Sequence, residues 1–228
     1  MTVETGSLPA DGVQRMFDRI APVYDLMNRA MTGGLDLRWR RLAAAAAVRP
    51  GDAVLDAACG TGDLALAGLR AGAAEVTGLD FSPRMLERAR RKSDAITWVQ
   101  GDLLALPFAD ESFDAATIGF GIRNVAELEL GLRELRRVLR PGGRLAILEI
   151  TRPRGVLRPF FSLWFDRLVP LAGRLLPGGS AYSYLPESVR RFPGAEELSE
   201  LAGRAGFADV RFRLLAGSIV ALHTGTAR

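Results

Sequence analysis

The chain is poor in the side chains that build disulfides and metal sites. It has one cysteine, Cys59, and one histidine, His223, so we expect neither an internal disulfide nor a His/Cys metal centre. No apolar run reaches the roughly 18 residues of a membrane-spanning helix, and we expect no secretion signal at the first residues. The net charge of +4 comes from 30 basic and 26 acidic residues that are interspersed, which gives little reason to expect a nucleic-acid partner.

What the chain does have is enough apolar material for one large core. Hydrophobic residues make up 48% of its 228 residues, and charged residues make up 25%. These values are typical of a globular protein of one domain, which we expect to span residues 1–228.

The most informative stretch is Ala53–Asp63, AVLDAACGTGD. A short apolar run typical of a buried parallel strand leads to Asp56 and then to a tight Gly60-Thr61-Gly62 turn, after which a helical pattern begins. A strand, a glycine turn and a helix start form a nucleotide-binding crevice at the carboxyl end of a parallel strand. The glycines alone also fit a dinucleotide site, so the type of nucleotide stays open at this point.

Acidic residues at three successive predicted strand ends narrow that choice. Asp56 follows the first strand, Asp80 ends the second, Val76–Asp80, and Asp102 follows the third, Ile96–Gln100. A carboxylate repels a pyrophosphate but attracts the ammonium group of S-adenosylmethionine, while Asp80 could bind the ribose hydroxyls and Asp102 the adenine amino group. The alternative is that the three acids only cap helices. We therefore predict S-adenosylmethionine as the cofactor and disfavour NAD.

The rest of the chain alternates between strand and helix patterns. Helices are predicted at Val13–Ile20, Val23–Arg29, Leu35–Val48, from the Ser82-Pro83 cap onward, Glu127–Leu139 and Glu196–Ala205, and further strands at Phe113–Phe120, Leu145–Ile150, Asp209–Leu215 and Ser218–Thr224. This order predicts an α/β fold, a doubly wound, mostly parallel sheet with an antiparallel C-terminal edge strand. We expect His223 to lie on that edge strand in a structural role.

Two parts of the chain fall outside this alternation. We expect residues from about 13 to 48 to form a helical cover over the crevice, and residues from about 153 to 192 to form an insertion that walls the substrate site. The arginine-bearing apolar stretch Phe160–Leu176 could be a groove for a lipid tail, a membrane-facing surface or part of the core.

Several motifs resemble the quinone C-methyltransferases of the UbiE/MenG type, a family within the class I S-adenosylmethionine-dependent methyltransferases with a Rossmann-like fold. The segments that carry the resemblance are YDLMN at Tyr24–Asn28, VLDAACGTGDL at Val54–Leu64, LPFADESFDAATIGFGIRN at Leu106–Asn124, SYLPESVRRFP at Ser183–Pro193 and LHTG at Leu222–Gly225. The match runs from about Phe17 to Gly225, and the Gly121-Ile122-Arg123-Asn124 and Tyr184–Val189 motifs are its most specific parts.

The resemblance implies which residues hold the cofactor. Thr61, Asp80 and the Asp102-Leu103 pair would contact it, in addition to Asp56 and the glycines Gly60 and Gly62. The family usually has serine where this chain has Gly119, so only a backbone contact is expected there.

The resemblance also implies methylation of a quinol ring carbon. We expect Arg123 to stabilise the phenolate and Asn124 to orient it, and the general base to be Asp25, Glu149 or water. The expected substrate is a polyprenylated quinol, with demethylmenaquinol slightly favoured over the ubiquinone precursor. Another small-molecule methyltransferase, or a non-catalytic assembly subunit that binds S-adenosylmethionine, stays as an alternative. The expected location is the cytoplasm, with peripheral contact at the inner face of the membrane, and a homodimer stays open.

Overall fold

The computed structural model describes residues 10–152 and 179–228, and the side chains of residues 11–152 and 184–228. Most of the predicted insertion, including Phe160–Leu176, lies outside these residues.

The described chain begins with three helices and then alternates between strands and helices. The helices are α1 (Ala10–Ile20), α2 (Tyr24–Thr32), α3 (Leu35–Ala47), α4 (Asp63–Arg70), α5 (Pro83–Arg90), α6 (Leu128–Val138), α7 (Gly179–Arg191) and α8 (Ala195–Arg204). The strands are β1 (Ala53–Ala57), β2 (Glu75–Asp80), β3 (Thr97–Gln100), β4 (Phe113–Gly119), β5 (Leu139–Ile150), β6 (Phe207–Leu215) and β7 (Val220–Ala227). The predicted cap of α5 is confirmed, since the Ser82 hydroxyl accepts a hydrogen bond from Met85 N at 3.1 Å.

The strands form a seven-stranded sheet in the order β3-β2-β1-β4-β5-β7-β6. Strands β1 to β5 pair in parallel, and β7 pairs antiparallel with both β5 and β6. The predicted fold class is therefore confirmed. The strand order reverses between β1 and β4, and in open α/β sheets this switch point is where ligands bind.

Helices cover both faces of the sheet, because the central strands are apolar on both sides. The neighbouring β1 residues Leu55 and Val54 belong to separate buried clusters, and the alternation of side chains along a strand explains why. Leu55 packs in the cluster that holds apolar residues of α6 and α8, and Val54 packs in the one that holds residues of α3 and α4. The strands that flank the switch point are therefore packed between helices on both faces of the sheet.

Two details of the sheet differ from the sequence-based prediction. Strand β5 begins at Leu139 rather than Leu145, since Leu139 pairs with Phe113 before the Pro141-Gly142-Gly143 segment is crossed. His223 was placed on the edge strand, and this is wrong, because β7 lies between β5 and β6. His223 is buried, and its Nε2 lies 2.9 Å from the Ala195 carbonyl oxygen, which supports the predicted structural role.

Candidate functional site

Asp56 is the most deeply buried carboxylate at the switch point. Its Oδ1 accepts a hydrogen bond of 2.8 Å from Thr117, its partner in register on β4, whereas its Oδ2 is buried with no partner among the described residues. Burial raises the pKa of Asp56 to about 7, against the lowering effects of Thr117 and of the Arg40 charge. An unpaired buried carboxylate oxygen is costly, so this one is suited to a cationic ligand.

Asp80, at the end of β2, shapes the glycine turn. Its Oδ2 accepts from Gly60 N at 2.7 Å and its Oδ1 from Ser82 N at 2.9 Å. Burial raises the pKa of Asp80 to about 6, and these backbone hydrogen bonds oppose that rise. A carboxylate has about four lone-pair sites, so Asp80 keeps acceptor capacity for a ligand.

These two acids line a narrow cavity at the strand ends, which we call the strand-end cavity. Its volume is about 40 Å³, and it is lined by Phe17, Tyr24, Arg40, Asp56, Ala58, Cys59, Gly60, Thr61, Asp63, Leu64, Asp80, Phe81, Met85, Gly119, Phe120, Gly121 and Asn124. The predicted cofactor residues Asp56, Gly60, Thr61, Asp80 and Gly119 thus share one cavity.

Gly62 is required by the shape of the turn. Its φ of +84° is in the left-handed region, and a Cβ there would collide with the Trp98 ring. We expect Gly62→Ala to lower the free energy of unfolding by about 2–5 kcal/mol, because a left-handed alanine costs ~1–2 kcal/mol and overpacking costs ~1–3 kcal/mol.

Urea unfolding followed by circular dichroism measures this loss, and Gly142→Ala is the matched control. Gly142 has a φ of +78° but open space around its Cβ position, so only the backbone cost applies. Equal losses in the two variants would show that the Trp98 contact is unimportant.

Helix α2 is fastened over the strand-end cavity by charged groups. The carboxylate of Asp25 accepts from Thr61 Oγ1 at 2.5 Å and lies 2.7 Å from Lys92 Nζ, while Arg29 Nη2 lies 3.1 Å from Asp63 Oδ2. Burial raises the pKa of Asp25, but Lys92 and Thr61 outweigh it and hold the pKa below its usual range. With α2 held in this position, the strand-end cavity of about 40 Å³ is smaller than a nucleotide.

A second, larger cavity lies under α2 and α3, and we call it the apolar cavity. It has a volume of about 310 Å³ and is lined by Met16, Phe17, Ile20, Tyr24, Met27, Asn28, Met31, Thr32, Leu35, Asp36, Trp39, Arg40, Phe120, Arg123, Ile150, Tyr184, Leu185, Ala216, Ile219 and Val220. Tyr184, from the predicted late motif, has a buried hydroxyl with no partner among the described residues. A mostly apolar wall with a few polar groups is typical of a small-molecule site.

Arg123 is held in the wall of the apolar cavity by a buried ion pair. Its Nη1 donates to Glu149 Oε1 at 2.7 Å and to the Phe120 carbonyl at 2.6 Å, and its Nε is buried without a partner in the described part of the chain. The ion pair commits Glu149 to Arg123, and a guanidinium with donors to spare can serve an anionic ligand.

The two cavities share part of their walls. Phe17, Tyr24, Arg40 and Phe120 line both of them. A group in the strand-end cavity can therefore face a ligand in the apolar cavity across this shared wall.

Of the remaining predicted residues, one lines the strand-end cavity and two lie away from both cavities. Asn124 lines the strand-end cavity rather than the apolar one, with its Oδ1 buried and without a partner among the described residues. Asp102 is exposed and accepts from Leu104 N at 2.9 Å in its own loop, and Leu103 is buried in the core. The part of the structure described here does not bring Asp102 or Leu103 into the lining of either cavity.

Sequence reasoning missed the Asp36–Arg40 pair of α3. The two residues are four apart and form a buried ion pair of 2.8 Å. Their spacing was the available signal, but it is also typical of exposed helix pairs, so burial was not readable from it.

Comparisons with known proteins identify the family to which the chain belongs. A model of the ubiE/COQ5 methyltransferase family matches residues 5–227. The chain is 49% identical over 218 residues to demethylmenaquinone methyltransferase of Thermus thermophilus, which covers 92% of this chain and 99% of that protein. It is 43% identical to the ubiquinone/menaquinone biosynthesis C-methyltransferase UbiE of Syntrophotalea carbinolica, covering 95% and 94% of the two chains.

Solved structures agree on the fold. The [4+2]-cyclase SpnF has a TM-score of 0.73 at 19% identity, covering 100% of this chain and 99% of its own. A SAM-dependent methyltransferase of Thermotoga maritima has a TM-score of 0.64 at 22% identity, covering 94% and 99%. A cyclase and a methyltransferase share this fold, so the fold alone does not decide the reaction.

Proposed function

Because the chain belongs to the ubiE/COQ5 methyltransferase family, we propose that it methylates a ring carbon of a polyprenylated quinol, with demethylmenaquinol as the substrate. It is a C-methyltransferase that depends on S-adenosylmethionine, in line with the relatives named demethylmenaquinone methyltransferase. The single observation that best supports the proposal is the shared wall between a carboxylate-lined cavity and an apolar cavity.

The strand-end cavity fits the cofactor chemically. S-adenosylmethionine supplies a methyl group on a cationic sulfonium and carries an ammonium group, and the unpaired buried oxygen of Asp56 is a matching acceptor. Asp80 would hold the ribose hydroxyls, Thr61 and the glycine turn would follow the rest of the nucleoside, and Gly119 would offer its backbone. Asn124, on the same wall, would orient groups near the cofactor rather than the far end of the quinol.

The apolar cavity would hold the quinol ring. A phenolic hydroxyl has a pKa near 10, so the ring needs help to become the electron-rich phenolate. Arg123 donates to that oxygen, and the apolar wall excludes water, which favours a reaction in which opposite charges cancel. Alignment of the ring carbon with the methyl group is then a matter of positioning across the shared wall.

Of the three bases considered, water is the one that we favour. Asp25 has a lowered pKa, because Lys92 and Thr61 stabilise its ionised form despite its burial, and a low pKa makes a weak base. Glu149 holds Arg123, so protonation of Glu149 would break that ion pair. Water would carry away the phenolic proton and then the proton of the methylated carbon.

The direct test supplies the purified protein with labelled S-adenosylmethionine and either demethylmenaquinol or the ubiquinone precursor. We expect methylation of the first and weaker methylation of the second. Efficient methylation of the precursor alone would make the ubiquinone precursor the substrate. This outcome is considered because the name of the UbiE relatives mentions both ubiquinone and menaquinone. Tight cofactor binding without turnover on either quinol would indicate the non-catalytic assembly subunit.

Peripheral membrane contact is part of the proposal, and exposed leucines on α2 and at the start of α3 support it. Leu26, Leu35 and Leu37 are exposed by 69%, 45% and 37%, and Arg38 and Arg41 are exposed beside them on α3. Leu35 also lines the apolar cavity, so the cavity opens at this surface. No helix in the described residues is long and apolar enough to cross a membrane.

Flotation with liposomes tests this contact. We expect the protein to float with vesicles that contain anionic lipid and to stay at the bottom when Leu26 and Leu37 are both replaced by glutamate, because apolar burial and basic charge act together. Leu130→Glu, at a partly buried leucine of α6, is the control. Equal flotation of the protein with neutral and with anionic vesicles would contradict the role of the arginines.

That the protein forms a homodimer stays a prediction.

A further inference from the structure

Arg40 is the one strongly basic side chain that lines both cavities within the described residues. It lies on α3 and is 6% exposed. A cation at this place lies where the cofactor and the quinol ring would meet.

The guanidinium is held in place from two sides. Its Nη1 donates to Asp36 Oδ2 at 2.8 Å, and Asp36 Oδ1 accepts from the Thr32 hydroxyl at 3.1 Å. Its Cζ lies 5.1 Å from the centre of the Phe120 ring, a cation–π contact. Arg40 is therefore preorganised at the shared wall.

Phe120 itself has an unusual backbone. Its φ of 60° lies in the left-handed region, which is costly for a bulky residue. The conformation is secured because Phe120 N donates to Leu148 O at 2.8 Å and its carbonyl accepts from Arg123. Strain of this kind persists where the surrounding structure requires it, and it is common at functional sites.

Arg40 has more donors than partners. A guanidinium has five N–H groups, and in the described part of the chain the hydrogen bond to Asp36 is the one that Arg40 makes. A buried ion pair adds little to stability compared with apolar residues of the same volume. The remaining donors are thus available to a ligand in the cavities.

Resting on the proposed function, we propose that Arg40 binds the oxygen anion of the quinol ring at the shared wall, with Asp36 as its positioning partner. The ring hydroxyl loses its proton to water, and the Arg40 N–H groups stabilise the phenolate that results. Both arginines contact Phe120: Arg123 donates to its carbonyl oxygen, and Arg40 packs against its ring. A 1,4-quinol has two oxygens, so one arginine can serve each of them.

Other titratable groups face the same space and contribute to the electrostatic potential there. The apolar cavity also has Asp36, Arg123, Tyr24 and Tyr184, and the strand-end cavity has Asp56, Asp63 and Asp80. The negative charge of these acids acts against a phenolate, so a local donor is needed to offset it.

The test measures the pKa of a bound phenol rather than turnover. The probe is 4-methoxy-1-naphthol, which has one ionisable hydroxyl, bound to protein saturated with S-adenosylhomocysteine and titrated by its absorbance. In the wild type we expect the bound pKa to lie at least about one pH unit below that of the free probe. In Arg40→Gln we expect most of that shift to be lost, and in the control Arg49→Gln, at an exposed arginine just after α3, we expect it to be kept.

Two further variants guard against misfolding, because Arg40→Gln leaves Asp36 buried without its partner. Asp36→Asn/Arg40→Gln removes both charges, and Arg40→Lys keeps the charge but loses the planar fork. The double variant should lose the shift and the lysine variant should keep part of it. An unchanged shift in folded variants, no shift in the wild type, or failure of all the variants to fold would each overturn the assignment. Wild-type protein that methylates neither quinol would instead overturn the proposed function.

Discussion

Replacing Arg123 by alanine is expected to lower kcat for quinol methylation by about 10²–10³-fold, the usual cost of removing one donor to a developing anion. Arg123 lines the apolar cavity and has a buried Nε without a partner among the described residues. The Michaelis constant for the quinol should change less, because the neutral ring gains little from a cation. The pH–rate profile should shift to higher pH, since the phenolate then forms without help.

The Arg123–Glu149 ion pair complicates this experiment. Both side chains are buried, with relative exposures of 8% and 1%, and removal of one partner of such a pair costs ~3–5 kcal/mol of stability. Arg123→Gln/Glu149→Gln removes both charges and separates the loss of stability from the loss of rate. Arg133→Ala, at an arginine that is 54% exposed on α6, is the control for charge alone. Turnover close to that of the wild type would remove Arg123 from the mechanism.

The second large effect is expected in cofactor binding. Between pH 5 and pH 7.5 the affinity for S-adenosylmethionine should rise on the order of 10²-fold. Burial raises the pKa of Asp56 to about 7 and the pKa of Asp80 to about 6, so both carboxyls bind protons at pH 5 in the free protein.

The affinity rises with pH because binding of the cofactor is linked to the release of protons. A bound cation favours ionised carboxylates, so binding releases protons wherever the free protein still holds them, and affinity rises with pH until both groups are ionised. Without the cofactor, the native state binds more protons than the unfolded state between about pH 4 and pH 7, so these two groups make stability fall as pH rises through that window. The cofactor should therefore raise the melting temperature more at pH 7.5 than at pH 5.

Titration calorimetry in two buffers of different ionisation enthalpy measures both the affinity and the released protons. Asp80→Asn should weaken binding at pH 7.5 by about 10-fold, the cost of a hydrogen bond to a charged group, and should flatten part of the pH dependence. Asp94→Asn, at an exposed acid after α5, is the control. An affinity that is flat or falls with pH would show that these carboxylates do not bind the cofactor in their ionised form.

The sequence predicted the central strands well because their signal is local. The runs at β1, β2 and β4 are apolar enough to be buried on both faces, and the glycine turn after β1 needs a left-handed backbone that few other residues tolerate. The start of β5 was missed, since its pairing of Leu139 with Phe113 across a Pro-Gly-Gly segment has no periodic pattern.

The meeting of two predicted acids at the strand ends could be predicted for the same reason. Asp56 and Asp80 reach one cavity because carboxyl ends of parallel strands meet at one edge of the sheet, and this follows from the chain order. Asp102 shares the same position in sequence but faces solvent, since its side chain closes its own turn with Leu104. Sequence spacing alone does not distinguish an acid that lines the cavity from one that faces solvent.

By itself the sequence determined the α/β class, the crevice at the strand ends and the membership of a methyltransferase family, because strand burial, glycine conformation and motif order are properties of short segments. Only the tertiary structure decided that His223 is interior to the sheet, that Glu149 is committed to Arg123, and that Arg40 lies buried between the two cavities. These facts depend on which distant segments pack together. The free energy of burying a charge is set by that packing and has no counterpart in the order of the residues.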